Sequence, residues 1–135
     1  MMKKIILLLL IAITISSCSL SDTPDRDFVV IPVETVTLPD SYTAGNIAHI
    51  MVKYRRPTQC HIFDGFYYDI NENVRTVAIQ AVKLNQNNCP DDSASLYEVP
   101  LDFKPTTAGD YTFKFWTGVD ENGVDQYLVY DVVVQ

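Results

Sequence analysis

The sequence predicts an all-β domain, a seven-stranded antiparallel sandwich that follows a cleaved signal peptide and a short tether. Three observations carry that expectation. From Phe28 onward no stretch keeps a 3.6-residue apolar period for three turns, so no amphipathic helix is written there. What recurs instead is β-branched and aromatic runs closed by turn residues, the pattern of a sandwich. The chain has 135 residues, 47% apolar and 20% charged, which suits one core without a second domain.

The elements follow in order. Residues 34–38 alternate and stop at Pro39-Asp40. Residues 47–54 set Ala48, Ile50, Val52 and Tyr54 on one face against His49, Met51 and Lys53 on the other. Residues 59–70 are long and aromatic, and the alternation changes phase around Gly65, which predicts a bulge there. Residues 74–84 follow Asn71-Glu72-Asn73 and close on Asn85-Gln86-Asn87-Asn88. Residues 96–103 turn Tyr97, Val99, Leu101 and Phe103 inward, and residues 111–116 do the same with Tyr111, Phe113 and Phe115. Residues 124–134 end the chain with Leu128, Tyr130, Val132 and Val134 on one side.

The N-terminus is an address. Met1-Met2-Lys3-Lys4 is a short basic start, and the apolar run after it spans only about half of a ~30 Å hydrocarbon core. That is a secretory segment, too short for a transmembrane anchor. Ile15-Ser16-Ser17-Cys18 follows and resembles the lipobox of bacterial lipoproteins: a branched aliphatic residue, two small residues, then Cys. The resemblance implies a signal peptide over residues 1–17, cleavage before Cys18, and acylation of that cysteine. Each buried CH₂ contributes roughly 0.8 kcal/mol, so three acyl chains would hold the protein in a membrane essentially permanently. Ser19, in place of Asp, is by the same resemblance compatible with the outer membrane of a diderm bacterium, facing the periplasm or the cell surface. Asp22, Asp25 and Asp27 resemble, in scattered form, the acidic surface-export signal of some lipoproteins. Residues 18–27 are expected to be the lipidated Cys and a flexible tether, and residues 28–135 the domain.

Removal of the signal peptide takes Lys3 and Lys4 with it and leaves eight cations against 17 carboxylates, a net of −9. That balance excludes a phosphate-backbone binder, so no nucleic-acid partner is expected. Setting Cys18 aside leaves Cys60 and Cys89, and an exported protein meets an oxidising compartment in which such a pair forms a disulfide. The chain-entropy model gives a loop of this length on the order of 3.5 kcal/mol. A metal site would need more ligands, and Cys60 and His61 point to opposite faces of a strand.

Ala108-Gly109-Asp110-Tyr111, entering the alternating run Tyr111-Thr112-Phe113, resembles the start of strand F in immunoglobulin-like and fibronectin-like domains. There the tyrosine packs at a corner and its hydroxyl bonds a backbone group upstream. The departures are plain. Phe113 stands where those domains carry their second Cys, Trp116 lies on this strand rather than the third, and the cysteine pair joins different places.

No nucleophile-and-base constellation appears, and a non-catalytic role without cofactors is expected. His49 falls on an outward strand face and His61 beside Cys60. Asp64, Asp69, Asp91, Asp92 and Asp102 supply carboxylates that no spacing brings together. Asp120, Asn122 and Asp125 resemble a calcium loop, as does the segment from Asp69 to Asn73. Each also reads as a hairpin turn, Asn122-Gly123 being a strong turn pair.

The surplus is aromatic. Phe63, Phe66, Tyr67 and Tyr68 crowd one strand so that both its faces carry rings, and Trp116 takes the outward phase of its own. An open ring-bearing face fits a protein partner in the cell envelope, by face or by strand edge. The alternative occupant is a glycan or nutrient stacked on the rings. The bland alternative is that residues 28–33 or a loop cover that face. Lys53, Arg55 and Arg56 form a small basic patch, either a solvated turn or a site for an acidic partner. The candidate contact residues are therefore Trp116, Phe63, Tyr67, Arg55 and Arg56.

Overall fold

The computed structural model describes residues 25–135. The expected signal peptide, Cys18 and most of the expected tether lie outside the described residues. The described chain is all-β: β1 (Arg26–Ile31), β2 (Val33–Thr37), β3 (Ala48–Arg55), β4 (His61–Asn71), β5 (Val74–Leu84), β6 (Leu96–Phe103), β7 (Gly109–Val119) and β8 (Asp125–Val134). They form a five-stranded sheet of β4, β5, β1, β7 and β8, and a three-stranded sheet of β2, β3 and β6.

Two features correct the sequence expectation. The strands number eight rather than seven, because β1 starts inside the stretch assigned to the tether. Its register on β5 turns Val29 and Ile31 inward and Phe28 and Val30 outward. Pro32 then ends β1, and the chain enters the other sheet at Val33. Proline lacks the N–H that would continue the ladder, which suits it to this switch. The second correction is that one pair is parallel, β5 with β7. Parallel neighbours need a crossover, and β6 supplies it by running through the opposite sheet.

The alternating phases of β3, β6, β7 and β8 build the core between the sheets. Ile50, Val52, Phe113 and Phe115 are fully buried, with Tyr54, Leu101, Phe103, Tyr111, Val132 and Val134 around them. Phe103 of one sheet meets Tyr111 and Phe113 of the other edge-on at 5.3 and 4.9 Å, a favourable arrangement of ring quadrupoles. The expected bulge is present. The β4–β5 register slips between Phe63 and Gly65, and Gly65 takes φ 117°, a region that L side chains avoid. The slip is what turns both Phe63 and Phe66 inward.

Cys60 and Cys89 are disulfide-bonded with Cα atoms 5.4 Å apart, tying the start of β4 to the loop after β5. The Tyr111 hydroxyl donates to the Thr107 carbonyl at 2.9 Å, closing the corner at which β7 begins. Tyr42 is the counter-case: its ring packs on Phe103, and its buried hydroxyl has no hydrogen-bond partner among the described residues. Tyr111→Phe should therefore lower unfolding stability by about 1 kcal/mol in urea melts, the worth of an ordinary hydrogen bond. Tyr42→Phe should leave stability unchanged or raise it, because it removes a buried polar atom that bonds no described residue. Equal losses in both variants would contradict these two environments.

Candidate functional site: the outer face of the five-stranded sheet

The site arises from how β5 shares one of its edges. β4 runs along the other edge for the full length of β5. On the shared edge, β1 pairs from Ile79 to Leu84 and β7 from Val74 to Val77. Ala78 falls between the last pair of each ladder, Ile31–Ile79 and Phe115–Val77. Its methyl group points to the outer face, opposite the Val77 and Ile79 side chains that enter the core. Beyond Phe115 the β7–β8 register slips between Trp116 and Gly118, and Gly118 lies against the ring of Pro32 with φ 112°. Trp116, paired with Tyr127 just before the slip, keeps the outward phase that alternation gives it.

The result is a depression of about 310 Å³ lined by Val30, Tyr67, Thr76, Ala78, Trp116, Asp125 and Tyr127, contributed by five strands. Tyr67 stands directly across from Ala78 on β4, and Tyr127 across from Trp116 on β8. The small floor and aromatic walls follow from the seam. The Trp116 indole N–H donates to Asp125 Oδ1 at 2.9 Å, which holds the ring in place. Lys114 lies 4.3 Å from the centre of the Tyr127 ring, a cation over an aromatic face. Beyond the depression the same face carries Phe28, Ile62, Val129 and Val133, all exposed. Phe28 remains 65% exposed although β1 lies in the sheet, so β1 extends this face instead of covering it.

The structure brings Trp116 and Tyr67 together and separates them from the other expected contact residues. Phe63 faces the core, stacked on Tyr54 at 6.1 Å and edge-on to Phe66 at 5.5 Å. Arg55 and Arg56 sit at the end of β3, away from the depression, and both are neutralised. Arg55 donates to Glu34 at 2.7 Å, and Arg56 donates to Asp92 while lying 4.6 Å from the Tyr97 ring centre. Lys53 is likewise paired, with Glu98 at 3.3 Å. The basic patch is a set of ion pairs, and an acidic partner would have to break them.

Asp120, Asn122 and Asp125 behave as turn residues. Asp120 Oδ1 accepts from the backbone N–H of Asn122 and Val124, and Asp125 is committed to Trp116. At the other calcium-like segment, Asn73 caps the start of β7 through the Asp110 carbonyl, and Thr112 N–H donates to the Asn73 carbonyl. Among the described residues no group of three or more His, Cys, Asp or Glu side chains could hold a metal ion. Of the histidines, His49 is exposed and bonds Asp102 at 2.6 Å. His61 is buried beside the disulfide, 2.9 Å from the Thr58 hydroxyl, and burial lowers its pKa. Val30, Ala78 and Tyr127 were not anticipated as site residues. The outward phase of Tyr127 was legible, since Leu128 and Tyr130 mark the inward one. The position of Ala78 at a seam depends on pairings that no local pattern reveals.

Asp92 is the most perturbed carboxylate. It accepts from Ser95 and Tyr97 hydroxyls, each at 2.6 Å, and from Arg56, and these bonds lower its pKa to about 2. A folded pKa below the unfolded value means that the fold gains from ionised Asp92 at and above pH 4. That gain is lost as pH falls toward 2. Urea midpoints measured from pH 5 to pH 2 should fall more steeply for the wild type than for Asp92→Asn. Parallel curves would show that Asp92 is not held in this way.

No protein-family model, curated protein or solved structure matches this chain.

Proposed function

We propose that the protein is a lipid-anchored, non-catalytic binding module of the bacterial outer membrane that engages a protein partner of the cell envelope. The contact surface in this reading is the outer face of the five-stranded sheet. The observation that supports it is the concentration of exposed apolar and aromatic side chains on that one face, centred on Tyr67, Trp116 and Tyr127. Apolar surface is costly to leave in water, and its accumulation on one face of a domain marks an interaction site. Tyr and Trp are the residue types that most often carry binding energy at protein interfaces. The seven residues between Cys18 and Arg26 span at most about 29 Å when fully extended, so an acylated Cys18 would keep the face near the bilayer.

One observation favours a second reading. The depression combines three rings with a carboxylate, Asp125, and a hydroxyl, Thr76. Rings stack on the C–H face of a saccharide while a carboxylate accepts from its hydroxyls, and the volume lies at the lower end of the ~300–1,000 Å³ range of ligand sites.

The test uses a C-terminally tagged chain extracted from its native membranes in mild detergent, with Cys18→Ala, Trp116→Ala and Tyr67→Ala beside it. The proposal expects a stoichiometric membrane protein with the wild type and its loss in Cys18→Ala. In the ring variants recovery should drop by roughly tenfold or more, the effect of truncating an interface anchor. Undiminished recovery with both ring variants would contradict the face assignment. A protein that emerges alone at several detergent strengths, and whose Trp116 fluorescence responds saturably to soluble oligosaccharides, would overturn the protein-partner reading in favour of the saccharide one.

A further inference from the structure

A second concavity, on the opposite side of the five-stranded sheet from the outer face, carries different chemistry. It is a cleft of about 400 Å³ at the open end of the sandwich, between the β4–β5 hairpin and the segment that follows β6. Its apolar lining includes Tyr68, Ile70 and Pro105, and Ile70 is 61% exposed at the rim. Two cations line it, Arg75 and Lys104.

These cations differ from those near Cys60. Lys53, Arg55 and Arg56 are each paired with a carboxylate, whereas Arg75 and Lys104 make no ion pair with any described residue. Arg26, Lys83 and Lys114 likewise make no ion pair with a described residue, so what sets Arg75 and Lys104 apart is that both line one cleft. Arg75 is also held in place. One guanidinium nitrogen donates to the Glu72 carbonyl at 2.7 Å and to the Val74 carbonyl at 3.3 Å, and the group lies 5.1 Å from the Tyr111 ring centre. Neutral carbonyls and a ring orient the guanidinium without cancelling its charge. A side chain fixed in this way loses little freedom when it binds, and its planar fork matches a carboxylate. The carboxylate among the lining residues, Asp102, is engaged by His49.

We propose that this cleft binds a small organic anion, a carboxylate on a short apolar body. The carboxylate sits against Arg75 with Lys104 adding charge, and the body lies along Tyr68, Ile70 and Pro105. The site shares no lining residue with the outer-face depression, and it stands whether or not that face binds a protein.

Hexanoate is the probe, titrated into the isotope-labelled full-length protein while the Arg75 Nε–H and Ile70 methyl resonances are followed. Hexan-1-ol supplies the same apolar body without charge, and inorganic phosphate supplies charge without the body. Hexanoate should shift both resonances saturably; hexan-1-ol should bind at least about tenfold more weakly, the size of a lost charge-assisted hydrogen bond, and phosphate at least about tenfold more weakly because it buries no apolar surface. Arg75→Gln should weaken hexanoate by a similar factor. Lys104→Gln, at an exposed position, should weaken it measurably without disturbing the fold. Equal binding of hexanoate and hexan-1-ol would reduce the cleft to an apolar recess. Phosphate binding as tightly as hexanoate would remove the apolar body, and hexanoate binding unchanged in Lys104→Gln and Arg75→Gln would remove the anion. Any of these results overturns the proposal.

Discussion

One edge of β5 has to serve two neighbours, and much of this molecule follows from that. β7 pairs with its first half in parallel and β1 with its second half antiparallel. A strand edge offers one row of N–H and C=O groups, so the two partners cannot overlap. β1 ends at Ile31, Pro32 carries the chain into the opposite sheet, and β7 bends past Pro32 through the irregularity between Trp116 and Gly118. Ala78 marks the join. A large side chain there would fill the surface, whereas alanine leaves a hollow that Tyr67, Trp116 and Tyr127 surround. The depression is thus a product of topology first and of residue choice second.

The two outer faces of the sandwich are correspondingly unequal. On the three-stranded sheet the outward phase of β3 and β6 holds His49, Lys53, Glu98 and Asp102, joined as cross-strand pairs, His49 with Asp102 and Lys53 with Glu98. Those pairs contribute little to stability individually, but they make the face compatible with water. On the five-stranded sheet the outward phase is rich in Phe, Val, Ile, Tyr and Trp. Both faces have the same alternation available to them, so the difference lies in the residues that fill it. Selection for folding alone does not require apolar side chains on a solvent-facing sheet.

Much of this was legible in the sequence where the information is local. Alternation placed Ile50, Val52, Tyr54, Leu101, Phe103, Tyr111, Phe113 and Phe115 in the core, and the phase change located the bulge at Gly65. The two remaining cysteines anticipated the disulfide, and the corner tyrosine anticipated the bond to an upstream backbone group. What was not legible depends on pairing between distant segments. β1 is short, opens with Arg26 and Asp27 inside the stretch assigned to the tether, and is severed from β2 by Pro32, so residues 28–33 read as an extended covering segment and not as a strand of the sheet. The parallel β5–β7 ladder has no local signature. Phe63 looked available for contact until the bulge turned it inward, and Arg55 and Arg56 looked like a patch until Glu34 and Asp92 were brought to them.

We propose that the outer face of the five-stranded sheet is the working surface in the envelope. The most direct measurement is oxidative footprinting of Tyr and Trp side chains in intact native membranes, compared with the purified full-length protein. Tyr67, Trp116 and Tyr127 should be protected in membranes and reactive after purification, while Tyr97, on the three-stranded sheet, reacts equally in both. Equal reactivity of Tyr67, Trp116 and Tyr127 in the two preparations would contradict the claim, because it would mean that this face stays bare where the protein resides.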